Sequence, residues 1–197
     1  LSKNFVNITN DYISLKEKKF ELIKEFDHNY LFVLDGKLVS NEFKFEDKNK
    51  VLIKEYDYKK QIFLSNQNSL NQLNNALATG GYYLEISKDY KFKKPLVVYN
   101  HFSESTKEQI ISYKNSLILN ENSELTILNY TDTNSKNNFF VNSFDYLKLK
   151  KDSILKNIFI NSERSNCYFH NYLKSDLEQN TNLDNYILST GLKFNKI

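Results

Sequence analysis

The chain has no Met, no Trp, one Cys, one Pro and four Gly among its 197 residues, and the shortages exclude several kinds of protein. A single cysteine, Cys167, rules out an internal disulfide framework and suits a reducing cytosol, so a cytoplasmic location is expected. No apolar run approaches the roughly 20 residues of a membrane span, and no secretory signal pattern opens the sequence. There is no Gly-rich phosphate loop, Walker motif, Cys pair or nucleophile elbow. Nothing therefore points to ATP hydrolysis, or to a metal held by this chain alone. With no Met, Leu1 is not an ordinary start, and Gly191–Ile197 stops inside patterned sequence, so an internal fragment of a longer protein is expected.

Charge of one sign is also missing. The net charge is +3, and Lys alternates with Glu and Asp along most of the chain instead of gathering into the basic stripe of a nucleic-acid or membrane binder. Arg164 is the only Arg, and the abundance of Asn, Lys, Ile, Tyr and Phe is the mark of an AT-rich gene, nearly silent about function. What is present is 40% hydrophobic and 15% aromatic residues, enough for one folded domain with a real core.

The strongest signal is a repeat. Ser116–Tyr130 and Tyr146–Ile160 superpose Leu119 on Leu149, Ser123 on Ser153 and Leu125 on Leu155. Each copy reads as an alternating apolar strand, a polar corner ending in Ser, and a second alternating strand. Leu117, Leu119, Leu125 and Ile127 then share one buried face. One such unit cannot bury that face alone, whereas stacked copies can, so a β-solenoid is expected.

Around the repeat, Asp35-Gly36 between Tyr30–Leu34 and Lys37–Val39 predicts a hairpin, because both turn positions favour positive φ. Val51–Ile53 and Ile62–Leu64 read as short strands, and Lys16–Phe26 as a short helix. Leu70, Leu73 and Leu77 predict an amphipathic helix over Ser69–Thr79, capped by Asn68 or Ser69 and closed by Gly80 in the left-handed conformation. From Tyr82 the pattern alternates. Strands are expected at 82–87, 95–100, 109–113, 116–119, 124–130, 144–149, 154–160, 167–173 and 183–188, with longer excursions at 101–108, 131–138 and 174–182. Pro95 suits a strand start. The expected organisation is an α+β lead-in over 1–80 and a mainly β solenoid core over 81–197.

Several of these segments resemble a known family. Leu73-Asn-Asn-Ala-Leu77, Gly81, the strand ending at Ile86 and Lys94-Pro95-Leu-Val-Val98 look like the core entry of the SufB/SufD family, scaffolds of the SUF iron–sulfur cluster assembly machinery. Ser116-Leu-Ile-Leu119 through Glu124-Leu-Thr-Ile127 is similar to its N-x-L-I-x-L-x-x-x-A-x-L-T-I stretch, with Ser123 where Ala is usual. Leu31–Gly36 resembles the F-V-N-G hairpin of the SufD branch. Thr190–Lys196 resembles a Gly-x-Lys-x-x-Arg segment, with Lys196 in place of Arg. Covering about residues 28–197, the resemblance implies a right-handed parallel β-helix and assembly with SufB-like and SufC-like subunits, SufC being the ATPase. A transient iron–sulfur cluster belongs to the full complex. The family's sulfur- and iron-handling residues fall beyond Ile197, so no catalytic, cofactor or metal residue is assigned here.

Other candidates weigh less. Cys167 and His170 are three apart, hence on opposite faces of a strand and poorly placed to share a metal, and a packed Cys beside a surface His is expected. His28 and His101 read as loop residues. Lys88–Lys94 interleaves basic and aromatic residues but falls in a turn, where a solvated corner is expected. Glu121, Asp145 and Asp152 do not converge as glycosidic carboxylates must, and read as solvated corners. Asn115, Asn120, Asn122, Asn142, Asn157 and Asn161 suit bends and could form amide ladders. Two alternatives to the scaffold stand: a carbohydrate-active β-helix enzyme, lyase or depolymerase, and a purely structural protein-binding solenoid.

Overall fold

A computed structural model describes residues 22–57, 68–133, 138–161, 165–189 and 192–196. In order, its elements are β1 (Asn29–Leu34), β2 (Lys37–Glu42), β3 (Val51–Glu55), helix α1 (Ser69–Leu77), β4 (Tyr82–Ile86), β5 (Leu96–Phe102), β6 (Ile110–Leu119), β7 (Glu124–Thr133), β8 (Phe139–Leu149), β9 (Ile154–Asn161), β10 (Ser165–Leu177), β11 (Asn182–Ser189) and β12 (Leu192–Lys196). From β4 onward the chain alternates between two six-stranded sheets, ordered β11-β9-β7-β5-β1-β2 and β12-β10-β8-β6-β4-β3. Each solenoid strand pairs in parallel with the strand one coil on. Leu119 meets Leu149 and Leu125 meets Leu155, the register that the sequence repeat demands. The fold is a mainly β solenoid of about three turns.

The corners explain why the repeat carries Ser. Ser123 and Ser153 are buried, and each hydroxyl donates to the carbonyl three residues back, Asn120 O at 2.7 Å and Lys150 O at 2.6 Å. The residue before each Ser takes positive φ, 55° at Asn122 and 59° at Asp152, a conformation that Asn and Asp tolerate. Corner side chains also bond up the stack, Asn122 Nδ2 to Asp89 Oδ1 and Asn180 Nδ2 to Asp152 Oδ1, each at 3.0 Å.

The lead-in is laid on the same two sheets. Asp35 and Gly36 turn at φ 48° and 79°, making the expected β1–β2 hairpin, while β1 also pairs in parallel with β5 and β3 pairs antiparallel with β4. Leu31 and Val33 thereby join the apolar cluster of the solenoid. The Ile62–Leu64 strand lies outside the described residues. So does most of the Lys16–Phe26 helix, and its last part, residues 22–26, is not helical.

Helix α1 departs from expectation in an instructive way. Asn68 caps it, its side chain accepting from Asn71 N at 2.9 Å. The helix buries Asn71 and Asn74, however, and leaves Leu77 43% exposed. The cause lies in β4, which is too short to cover β6: it pairs only with Ser116–Leu119. The first half of β6 would otherwise present an open strand edge. Thr79 N donates to Ser112 O, Lys114 N donates to Gly80 O, and Asn74 Nδ2 donates to Tyr113 O at 3.1 Å and Asn142 O at 2.6 Å. A face that must satisfy backbone oxygens is polar. Gly80 does not take the left-handed role; the positive φ, 117°, belongs to Gly81, where a Cβ would strike Lys114 O.

Strands run longer than the alternation suggested. The segments 109–113 and 116–119 merge into β6, β8 begins at Phe139, and β10 continues to Leu177 through part of the expected 174–182 excursion.

Candidate functional site

The inside of the solenoid is not uniformly apolar. One cluster contains Leu117, Leu119, Leu125, Ile127, Leu147, Leu149 and Leu155, and another contains Tyr113, Phe139, Val141, Cys167 and Phe169. Between them runs a belt of polar side chains. On the sheet of β6, β8 and β10, Asn115 Nδ2 donates to Asp145 Oδ1 at 2.8 Å, and Asn171 Nδ2 donates to Asp145 Oδ2 at 2.5 Å. On the facing sheet, Asn129 Nδ2 donates to Asn157 Oδ1 and Asn157 Nδ2 to Asn185 Oδ1, both at 2.9 Å. Amide ladders therefore form, but within strands and on the inward face: Asn115 and Asn157 are not corner residues, and Asn142 is also mid-strand.

Asp145 is the correction with most chemical weight. It is buried in β8, not solvated at a corner. Burial raises its pKa above the ordinary carboxylate value, and the two amide donors work against that rise. The charge in turn adds to burial in raising the hydroxyl pKa values of Tyr82 and Tyr113. The signal was present in the alternation: Asp145 is in phase with Leu147 and Leu149, and Asn115 with Leu117 and Leu119. Two cavities of about 10 Å³ adjoin the belt, one bordered by Asn115, Asn129, Asp145 and Asn157, the other by Asn161 and Asn171.

The remaining candidates do not converge. Cys167 points into the second apolar cluster, where burial pushes its thiol pKa up to about 12 despite a hydrogen bond with the Val141 backbone. His170 is buried, not at the surface, with Nδ1 2.9 Å from the side-chain oxygen of Asn142, whose Nδ2 in turn donates to Leu70 O of α1. His101 lies in β5, buried and stacked on Phe32, not in a loop. His28 does precede its strand, with Nε2 2.8 Å from the Tyr99 hydroxyl. In the Lys88–Lys94 corner, Lys88, Lys91 and Lys93 are exposed while Tyr90 and Phe92 pack against the core.

Two charged groups escaped the sequence reading. Glu46 is buried and accepts from Asn29 Nδ2, the Lys93 and Lys94 amides, and the Tyr90 hydroxyl. The lone signal for it was a Glu beside Phe45 in an otherwise charged turn. Lys114 reaches Asn75 Oδ1 at 2.7 Å, and burial lowers its pKa. Glu46 serves the lead-in and Lys114 serves α1. Among the described residues no group of three or more His, Cys, Asp or Glu side chains is placed to hold a metal ion.

Outside, the sheet of β5, β7, β9 and β11 carries two apolar rows set by strand register, Val97–Leu128–Ile158–Tyr186 and Tyr99–Tyr130–Ile160–Leu188. The lead-in crosses the first of these strands, where Ile23 N donates to the Tyr99 hydroxyl at 2.9 Å. The rows end at Tyr186 and Leu188, which are 52% and 61% exposed. No protein-family model matches the chain, and no curated protein matches it in sequence.

Proposed function

We propose that this chain is a non-catalytic scaffold, a SufD-like part of an iron–sulfur cluster assembly complex that pairs with SufB-like and SufC-like subunits in the cytoplasm. The observation that supports the reading is the solenoid itself, with Leu119 stacked on Leu149 and Ser corners at 123 and 153, an architecture of the kind the resemblance implies. Ladders bonded along the stack make it stiff, as a body transmitting the movement of an attached ATPase requires. Right-handed winding belongs to the same proposal. Among the described residues the buried acids Asp145 and Glu46 are both committed to internal hydrogen bonds, which weighs against a carbohydrate-active enzyme built on them. The test is copurification of the complete gene product from its own cell. Retention of SufB- and SufC-like proteins is expected, and a product that binds neither removes the assignment.

The exposed ends of the outer rows, Tyr186 and Leu188, favour a second reading, a solenoid that binds protein partners without any iron–sulfur role. Stable partners in the same experiment that include no SUF component would select it.

A further inference from the structure

We propose that the lumen of the solenoid binds ordered water at two points of its polar belt, one between Asp145 and the facing Asn129–Asn157 ladder, the other beside Asn171. The first cavity has about 10 Å³, room for one water, and four polar side chains border it. A water needs two to four such partners, and a void of that size lined only by Leu and Ile would stay dry. The hydrogen bonds of each ladder run up the stack within its own sheet. A water in this cavity reaches both ladders and links the sheets across the lumen.

The second cavity supplies an independent observation. Asn171 is buried, its Nδ2 is committed to Asp145, and its Oδ1 has no hydrogen-bond partner. Asn171 borders the second water-sized cavity together with Asn161, the rest of whose wall is Phe159, Phe169 and Leu173. A buried amide oxygen that loses its solvent and gains nothing is costly, and a water donor beside it removes the cost. The belt therefore works as a hydrated seam between two dry clusters, with the water as part of the fold.

A crystal structure of the chain at a resolution that shows solvent tests the idea directly. Expected are two compact peaks about 2.7–3.2 Å from the Asp145 carboxylate and from Asn171 Oδ1. Oxygen-17 magnetic relaxation in solution should count long-lived internal waters, with one fewer in Asn157→Leu, which fills the first cavity. Asn161→Leu reads the second cavity in the same way should the first variant not fold. Empty density in both cavities, or relaxation unchanged by both substitutions, overturns the proposal. So does a peak with oxygen ligands at about 2.3–2.6 Å, which would be a cation.

Discussion

Asn74 on helix α1 donates its side-chain amide to the Asn142 backbone oxygen at 2.6 Å, bridging 68 residues of sequence. The same amide reaches Tyr113 O, so one side chain ties the helix to two neighbouring strands, β6 and β8. Asn74→Leu removes both side-chain hydrogen bonds, at about 0.5–1.5 kcal/mol each. Chemical denaturation should show a loss of about 1–3 kcal/mol. Leu77→Ala, on the exposed side, should change stability by less than about 0.5 kcal/mol. If the Leu change costs more, the helix docks by its apolar stripe after all.

Glu46 joins the lead-in to the first corner through four groups, Asn29, Tyr90 and the amides of Lys93 and Lys94. Glu46→Ala strands these donors in a buried place, and a loss of about 2–4 kcal/mol is expected. Glu46→Gln keeps the shape but turns an amide donor toward other donors, so it should recover only part of that loss. The ordering Glu, then Gln, then Ala in denaturant midpoints is the check; Gln no better than Ala would deny the carboxylate its acceptor role.

Leu119 and Leu149 are fully buried neighbours on successive coils, so either Leu→Ala change should cost about 2–5 kcal/mol. Leu188→Ala, at a position 61% exposed, should cost less than about 0.5 kcal/mol in the isolated chain. Equal losses at the three positions, read by thermal or urea unfolding, would contradict the placement of the lumen.

The repeat was legible because period-two alternation and a corner Ser are local facts, and the Asp35-Gly36 turn was legible for the same reason. The face of α1 was not. Leu70, Leu73 and Leu77 obey the helical apolar rule, yet what the helix meets is decided by how short β4 is, a relation between distant segments. His101 was likewise misplaced, since a strand end drawn from an apolar run stops too soon when the strand goes on through Asn and His, and His170 was misjudged because the outer face of its strand is buried. Asp145 lies between these cases. Its inward phase could be read from the sequence, but the amide partners that make an inward carboxylate tolerable come from coils on either side.

Cys167 should be inert in the native protein. Its thiol sits in an apolar cluster with its pKa pushed up to about 12, so thiolate is scarce at pH 8 and access is closed. Ellman's reagent should label it only on unfolding, at a rate that follows denaturant concentration. Labelling of the folded chain at the rate of a small-molecule thiol would place Cys167 at the surface and reopen a chemical role for it.

Asp145 gives the sharpest pH prediction. Burial raises its folded-state pKa above the unfolded value near 3.8, so between the two values the folded chain holds more protons than the unfolded one. Stability from this group is therefore greatest at acid pH, declines as pH rises through that window, and stays at its lower level above the folded pKa. Asp145→Asn removes the window. It also suits the geometry: the new amide can accept from Asn115 and donate to the unpartnered Asn171 Oδ1, making a continuous ladder like Asn129–Asn157–Asn185. At pH 7 the variant should match or exceed the parent chain by up to about 1 kcal/mol, and its stability should lose the parent's downward slope above pH 4. A variant weaker by about 2 kcal/mol or more at pH 7, with the slope intact, would mean that the ionised carboxylate is itself what the belt is built to hold.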